Sequence, residues 1–142
     1  KTGRILIRKK LNYGVEVAST PLVTKDAIIF GTSNNGVVAL DKETLEEKWH
    51  FKTREAMILS APYQGNHPNT VETSPVLCGN QVYIGASDGT LYALDAQSGR
   101  LQWRHSMGAP LFATIAISGN GLFAVDFGGN VYGFSCELKK SR

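Results

Sequence analysis

The sequence has little of what usually carries chemistry. Only two of its 142 residues are cysteine, Cys78 and Cys136. They form no CxxC pair and no His cluster lies near them in sequence, so zinc and dithiol motifs are unsupported. Buried free thiols are the expected state, and two cysteines do not fix a redox compartment. The net charge is only +3, from 15 basic and 12 acidic residues, which gives no electrostatic case for nucleic acid. The basic clusters Arg8-Lys9-Lys10 and Lys139-Lys140 sit near the two ends, where lysines discourage edge-to-edge strand pairing. No apolar run is long enough to span a bilayer, so direct membrane insertion is not expected. No signal peptide is recognisable. The chain opens at Lys1 inside a repeat, so a fragment or a mature piece is expected and the location of the parent stays open. Helical periodicity is missing throughout. Proline is scarce, with 5 residues against 15 glycines, and the glycines recur between short apolar runs.

What the chain does have is a repeat. Gly31-Thr-Ser-Asn-Asn-Gly-Val-Val-Ala-Leu-Asp41 aligns without a gap on Gly85-Ala-Ser-Asp-Gly-Thr-Leu-Tyr-Ala-Leu-Asp95 at an offset of 54. Trp49 and Trp103 keep that offset, as do Pro21 and Pro75. A third copy, Val125-Asp-Phe-Gly-Gly-Asn-Val-Tyr-Gly-Phe-Ser135, follows the second at an offset of 40. A fractional copy opens the chain, with Lys1-Thr-Gly-Arg-Ile-Leu-Ile7 in the place of Gln97-Ser-Gly-Arg-Leu-Gln-Trp103. In the second copy the strands are expected at 74–78, 82–86, 90–95 and 101–106. A hairpin is expected at Ser87-Asp88-Gly89, with Asn34-Asn35 and Gly128-Gly129 in the equivalent turns. Repeats of about 40 residues with four strands are the blades of a β-propeller. The expected fold is all-β, about three four-stranded antiparallel blades forming a partial propeller or half of an oligomeric ring. The expected division is an outer strand and link over 1–18, a blade over 19–53, an inserted loop over 54–72, a blade over 73–108, and the inner three strands of a further blade over 109–142.

The segment Ala93-Leu-Asp-Ala-Gln-Ser-Gly-Arg-Leu-Gln-Trp103 resembles the tryptophan-docking motif of the quinoprotein-like, or PQQ-like, repeat propellers. Ala39-Leu-Asp-Lys-Glu-Thr-Leu-Glu-Glu-Lys-Trp49 fits as well, with Leu45 in place of the motif glycine. The resemblance covers nearly the whole chain. It implies a structural docking set of Ala39, Asp41, Trp49, Ala93, Asp95, Gly99 and Trp103. It further implies that Trp49 lies between two blades on Ala39 and Gly99, with its indole N–H on the carbonyl of Lys42. Ile7 stands at the first Trp position, so no ring approaches Leu45 and a side chain is tolerable there.

Catalytic residues are not expected. The histidines His50, His67 and His105 fall on two outer strands and a loop. Glu16, Glu72 and Asp126 are the carboxylates nearest the inner strands, and they are scattered. Quinoprotein dehydrogenases, by the resemblance, hold PQQ and calcium at the propeller centre and often carry adjacent cysteines, which this chain lacks. No cofactor or metal is expected, with PQQ plus calcium as the alternative. The link from Trp49 to Ser74 is 25 residues, against 11 from Trp103 to Thr114. The surplus lies within Arg54 to Glu72, and loops on rigid scaffolds are where function concentrates. Met57, Ile58, Leu59, Tyr63 and His67 are the candidate partner-binding residues.

The expected function is a non-catalytic protein-interaction or ligand-binding scaffold, favoured by the missing catalytic constellations; members of the resembled family include a propeller lipoprotein of the outer-membrane assembly machine. The alternative is a fragment of a quinoprotein dehydrogenase, or an accessory propeller of a multidomain enzyme. The expected partner is another protein or the remaining blades of a parent chain. In a homodimer closing a six-bladed ring, the 4–10 strand of one copy would pair beside 130–136 of the other. A periplasmic or other extracytoplasmic location is implied by the family resemblance alone.

Overall fold

The computed structural model describes residues 3–11, 19–59, 66 and 68–136. Its elements form three antiparallel sheets. The first blade holds β1 (Leu22–Val23), β2 (Ala27–Gly31), β3 (Val37–Asp41) and β4 (Glu47–Phe51). The second holds β5 (Val76–Cys78), β6 (Gln81–Gly85), β7 (Thr90–Asp95) and β8 (Leu101–Ser106). The third holds β9 (Ala116–Ser118), β10 (Gly121–Val125) and β11 (Val131–Ser135). Strands pair in sequence order within each sheet, and no helix occurs among the described residues. The fold is therefore all-β, a partial propeller of antiparallel blades.

The repeat extends to irregularities. The register slips between Ala39 and Leu40 where β3 meets β4, and between Ala93 and Leu94 where β7 meets β8. Both slips precede an aspartate that organises the next turn. Asp41 Oδ1 accepts from the amides of Glu43 and Thr44 at 3.0 and 2.9 Å. Asp95 Oδ1 accepts from those of Gln97 and Ser98 at 3.1 and 2.8 Å. Such bonds favour the ionised form, so both carboxyls titrate below the usual aspartate range, Asp41 chiefly through Thr44 and Asp95 chiefly through Ser98.

Alternation along each strand divides its side chains between two neighbouring blades, so the cores lie between blades. Ala27, Ile29, Val37 and Ala39 of the first blade pack with Val82, Ile84, Tyr92 and Leu94 of the second. Tyr83, Leu91 and Ala93, on the other face of the second blade, pack with Leu122 and Ala124 of the third. The corresponding outer face of the third blade is open to solvent: Phe123 is 46% and Val131 73% exposed, whereas their counterparts Tyr83 and Leu91 are buried.

Two expectations change, and a third falls on residues that no described strand pairs. Cys78 and Cys136 are joined in a disulfide, with Cα atoms 6.5 Å apart, and are not free thiols. The interblade packing places the end of β5 against the residue following β11, although 58 residues separate the two in sequence. Residues 3–11 belong to no sheet among the described residues, and 12–18 lie outside those residues. The outer strand expected there belongs to a preceding blade, whose partner strands are not among the described residues. In the Ser87-Asp88-Gly89 turn only Gly89 takes a positive φ, +74°, while in the first blade that conformation falls on Gly36, at +70°. The turn is thus a three-residue loop closed by a left-handed glycine rather than a two-residue hairpin.

Candidate functional site

Two features depart from plain repeat structure, the docking interface and the long link between the first two blades. Trp49 is opposite Ala39 in the β3–β4 ladder and is 7% exposed. Its ring covers Gly99, where an added Cβ would come within 2.5 Å of Trp49 Cε3. Gly99 also holds φ at +67°, so the glycine is required twice over, for conformation and for space. The indole N–H donates to the carbonyl of Ala96 at 3.2 Å, not to that of Lys42. Ala96 is the counterpart of Lys42 one blade on, so the bond ties two blades together instead of closing within one. Leu45, the departure from the motif glycine, keeps the left-handed backbone at φ 57°.

Trp103 occupies the same place in the second blade yet is 38% exposed. It stacks on His105 of its own strand and meets Phe134 of the third blade edge-on, with centroids 6.1 and 5.4 Å away. Of the residues in the docking set, Ala39, Trp49 and Gly99 come together at one interface. Ala93 and Trp103 face the next interface, and Asp41 and Asp95 serve the turns.

The long link keeps a regular base. Val71 N–H donates to Thr32 O at 2.9 Å and Ser87 N–H to Thr70 O at 3.0 Å. The shorter second link does the same, with Leu111 N–H on Ala86 O at 3.1 Å and Phe127 N–H on Pro110 O at 2.8 Å. Beyond that base the insertion is anchored to both neighbouring blades. Gly36 N–H donates to Asn69 O at 2.6 Å, and Thr70 Oγ1 to Ser33 O at 2.7 Å. On the second blade, Met57 N–H donates to Ser87 O at 2.9 Å, and Arg54 Nη2 to Thr90 Oγ1 at 2.6 Å.

Beneath the loop is a buried polar knot that the sequence reading did not single out. Asp88 accepts from Arg54 N–H at 2.9 Å, from Thr90 N–H at 2.8 Å and from the Tyr92 hydroxyl at 2.5 Å. Burial and the carboxylate beside it push the Tyr92 hydroxyl above the usual tyrosine range. The third blade repeats the theme, with the Tyr132 hydroxyl 3.1 Å from Asp126 Oδ2. The recurrence of tyrosine at offset 40 was a usable sequence signal.

Next to the anchoring bonds the described part of the loop exposes apolar side chains. Met57 lies over Gly89, and Met57, Ile58 and Leu59 are 53, 41 and 68% exposed. Tyr63 and His67 lie outside the described residues. Among the described residues no three His, Cys, Asp or Glu side chains gather as a metal site. Asp88 accepts from Arg54, Thr90 and Tyr92, and Asp126 from Asn130 and Tyr132.

Stacked four-stranded blades with a Trp docked on the next blade's glycine define a segment of a PQQ-like repeat propeller. The family model described as outer membrane protein assembly factor BamB matches residues 1–109 and, in an overlapping second match, 61–137. The chain belongs to that family. It is 28% identical over 108 residues to the outer membrane protein assembly factor BamB of Salmonella typhimurium, a match covering 76% of this chain and 26% of that protein. It is 31% identical over 85 residues to the quinohemoprotein alcohol dehydrogenase ADH IIB of Pseudomonas putida, covering 60% of this chain and 12% of the enzyme. The crystal structure of BamB from Moraxella catarrhalis superposes with a TM-score of 0.66 at 17% identity, over 88% of this chain and 37% of that one. The chain thus spans about a quarter of the Salmonella relative, and the structural likeness speaks for the fold alone.

Proposed function

We propose that the chain is part of a non-catalytic propeller that contributes to outer membrane protein assembly by holding another protein, with the 54–72 loop as a contact. One observation carries this reading: the apolar side chains of Met57, Ile58 and Leu59 are exposed on a segment bonded to two blades. A pre-organised apolar projection binds with little ordering cost. The family's name supplies the process, and the reading places the chain in the periplasm. A photo-crosslinking residue at position 58 in producing cells should capture an outer-membrane assembly component. The same residue at exposed Lys25, in a first-blade turn away from the loop, should not. Equal capture at both positions, or capture at Lys25 alone, would remove the loop from the account.

The competing reading, a dehydrogenase fragment, draws on the 31% identity to the alcohol dehydrogenase. Incubation with PQQ and calcium followed by gel filtration separates the two: quinone absorbance eluting with the protein would favour the enzyme. The open face of the third blade, with no strand beside β11 other than β10 among the described residues, supports a ring of six blades made from two copies. In it the 4–10 segment of each copy would pair beside 130–136 of the other. Light scattering on the 142-residue chain should then report a dimer that is lost when residues 1–10 are removed. A monodisperse monomer would refute the ring.

A further inference from the structure

We infer that the Cys78–Cys136 disulfide does at the second interblade interface what the docked Trp49 does at the first. The equivalence rests on backbone positions. Lys42, Ala96 and Cys136 each donate their N–H to the turn between the first two strands of their own blade, to Asp26 O at 3.1 Å, Asn80 O at 2.9 Å and Asn120 O at 2.7 Å. Cys136 therefore stands in the third blade where Ala96 stands in the second, and Ala96 is the residue whose carbonyl receives the Trp49 indole. Across the interface, Cys78 ends β5 of the second blade and packs in the same cluster as Tyr83, Leu91 and Ala93. The two interfaces are thus fastened at the same point of the third strand's exit, one by an aromatic ring and its N–H, the other by a covalent bond.

The second interface needs the substitute because its tryptophan is poorly placed. Trp103 is 38% exposed where Trp49 is 7% exposed. The position matching Gly99 in the third copy is Lys139, so the sequence there lacks the motif glycine, and that residue lies outside the described ones. Both cysteines are buried, so a reductant reaches the bond only when the blades part.

Closing the bond oxidises two thiols to one disulfide and releases two electrons and two protons. An oxidised dithiol carrier takes them, and its own disulfide becomes two thiols. Such carriers work in oxidising compartments, so the bond itself argues for maturation outside the cytoplasm, independently of the family name.

Hydrogen exchange on the full chain tests the inference. A thiol reagent should find no free thiol in the native chain and both cysteines after dithiothreitol. On reduction, and in the C78S/C136S chain, the amides of Leu111 and Phe127 should exchange at least about ten-fold faster. The equivalent amides at the first interface, Val71 and Ser87, should change by less than about two-fold. A W49F chain should show the reverse pattern. Should the double variant fail to fold, reduction of the unaltered chain still decides. No acceleration, or equal acceleration at both interfaces, would overturn the inference.

Discussion

Gly99 is where one missing side chain matters most. An alanine there would need to hold φ at +67° and place its Cβ 2.5 Å from the Trp49 ring. Left-handed backbone costs a non-glycine residue about 1–2 kcal/mol and overpacking about 1–3 kcal/mol, so Gly99→Ala should lower stability by about 2–5 kcal/mol. A urea unfolding curve checks it, and a change under about 0.5 kcal/mol would mean the ring moves aside freely. Leu45 shows the same backbone without the ring, which is why a side chain survives there.

The aspartates of the two turns predict a pH response. Asp41 and Asp95 both titrate lower in the folded chain than in an unfolded one. The stability they contribute is fully present above the unfolded aspartate value of about 3.9 and is lost as pH falls through their lower folded values. The urea midpoint should therefore fall between pH 5 and pH 2, and replacing Asp95 with alanine should flatten that decline. A midpoint rising with acid would contradict the sign.

At the scale of elements, the hairpins and outer strands were readable because their signal is local. The 90–95 and 101–106 spans predicted from alternation and turn residues are β7 and β8 as observed. What escaped reading was contact between blades. The acceptor for Trp49 was placed in its own blade, on Lys42, when it lies on Ala96 of the next. The disulfide escaped for the same reason: no local pattern relates two cysteines 58 residues apart. Aligning Cys136 on Ala96 would have placed it at the docking point. The loop was legible as a length surplus, but the Asp88–Arg54–Tyr92 knot beneath it was not, since Arg54 lies 34 residues from the hairpin that holds the other two. Shortening the insertion to the length of the second link should keep the β-sheet circular dichroism spectrum, because the base bonds of Val71 and Ser87 remain. Losing Arg54 N–H from Asp88 should still cost about 1–3 kcal/mol by leaving part of a buried carboxylate unpaired. A shortened chain that fails to fold would make the loop a structural brace rather than a contact.

Over the whole molecule, stability comes from the surfaces between blades. Both interblade cores are built from alternating strand positions, the first fastened by the docked Trp49 and the second by the Cys78–Cys136 bond. The open face of the third blade is the same surface that is covered in the first two, which ties the proposed partner surface to the repeat itself. The same residue type occupies equivalent positions at both interfaces, which permits a direct comparison. Equilibrium urea unfolding of Trp49→Ala and Trp103→Ala, each in the oxidised chain, tests whether tryptophan docking joins the blades. The account predicts a loss of about 3–5 kcal/mol for the buried Trp49 and no more than about 1–2 kcal/mol for the half-exposed Trp103. Equal losses at the two positions, or a loss under about 1 kcal/mol at Trp49, would contradict it.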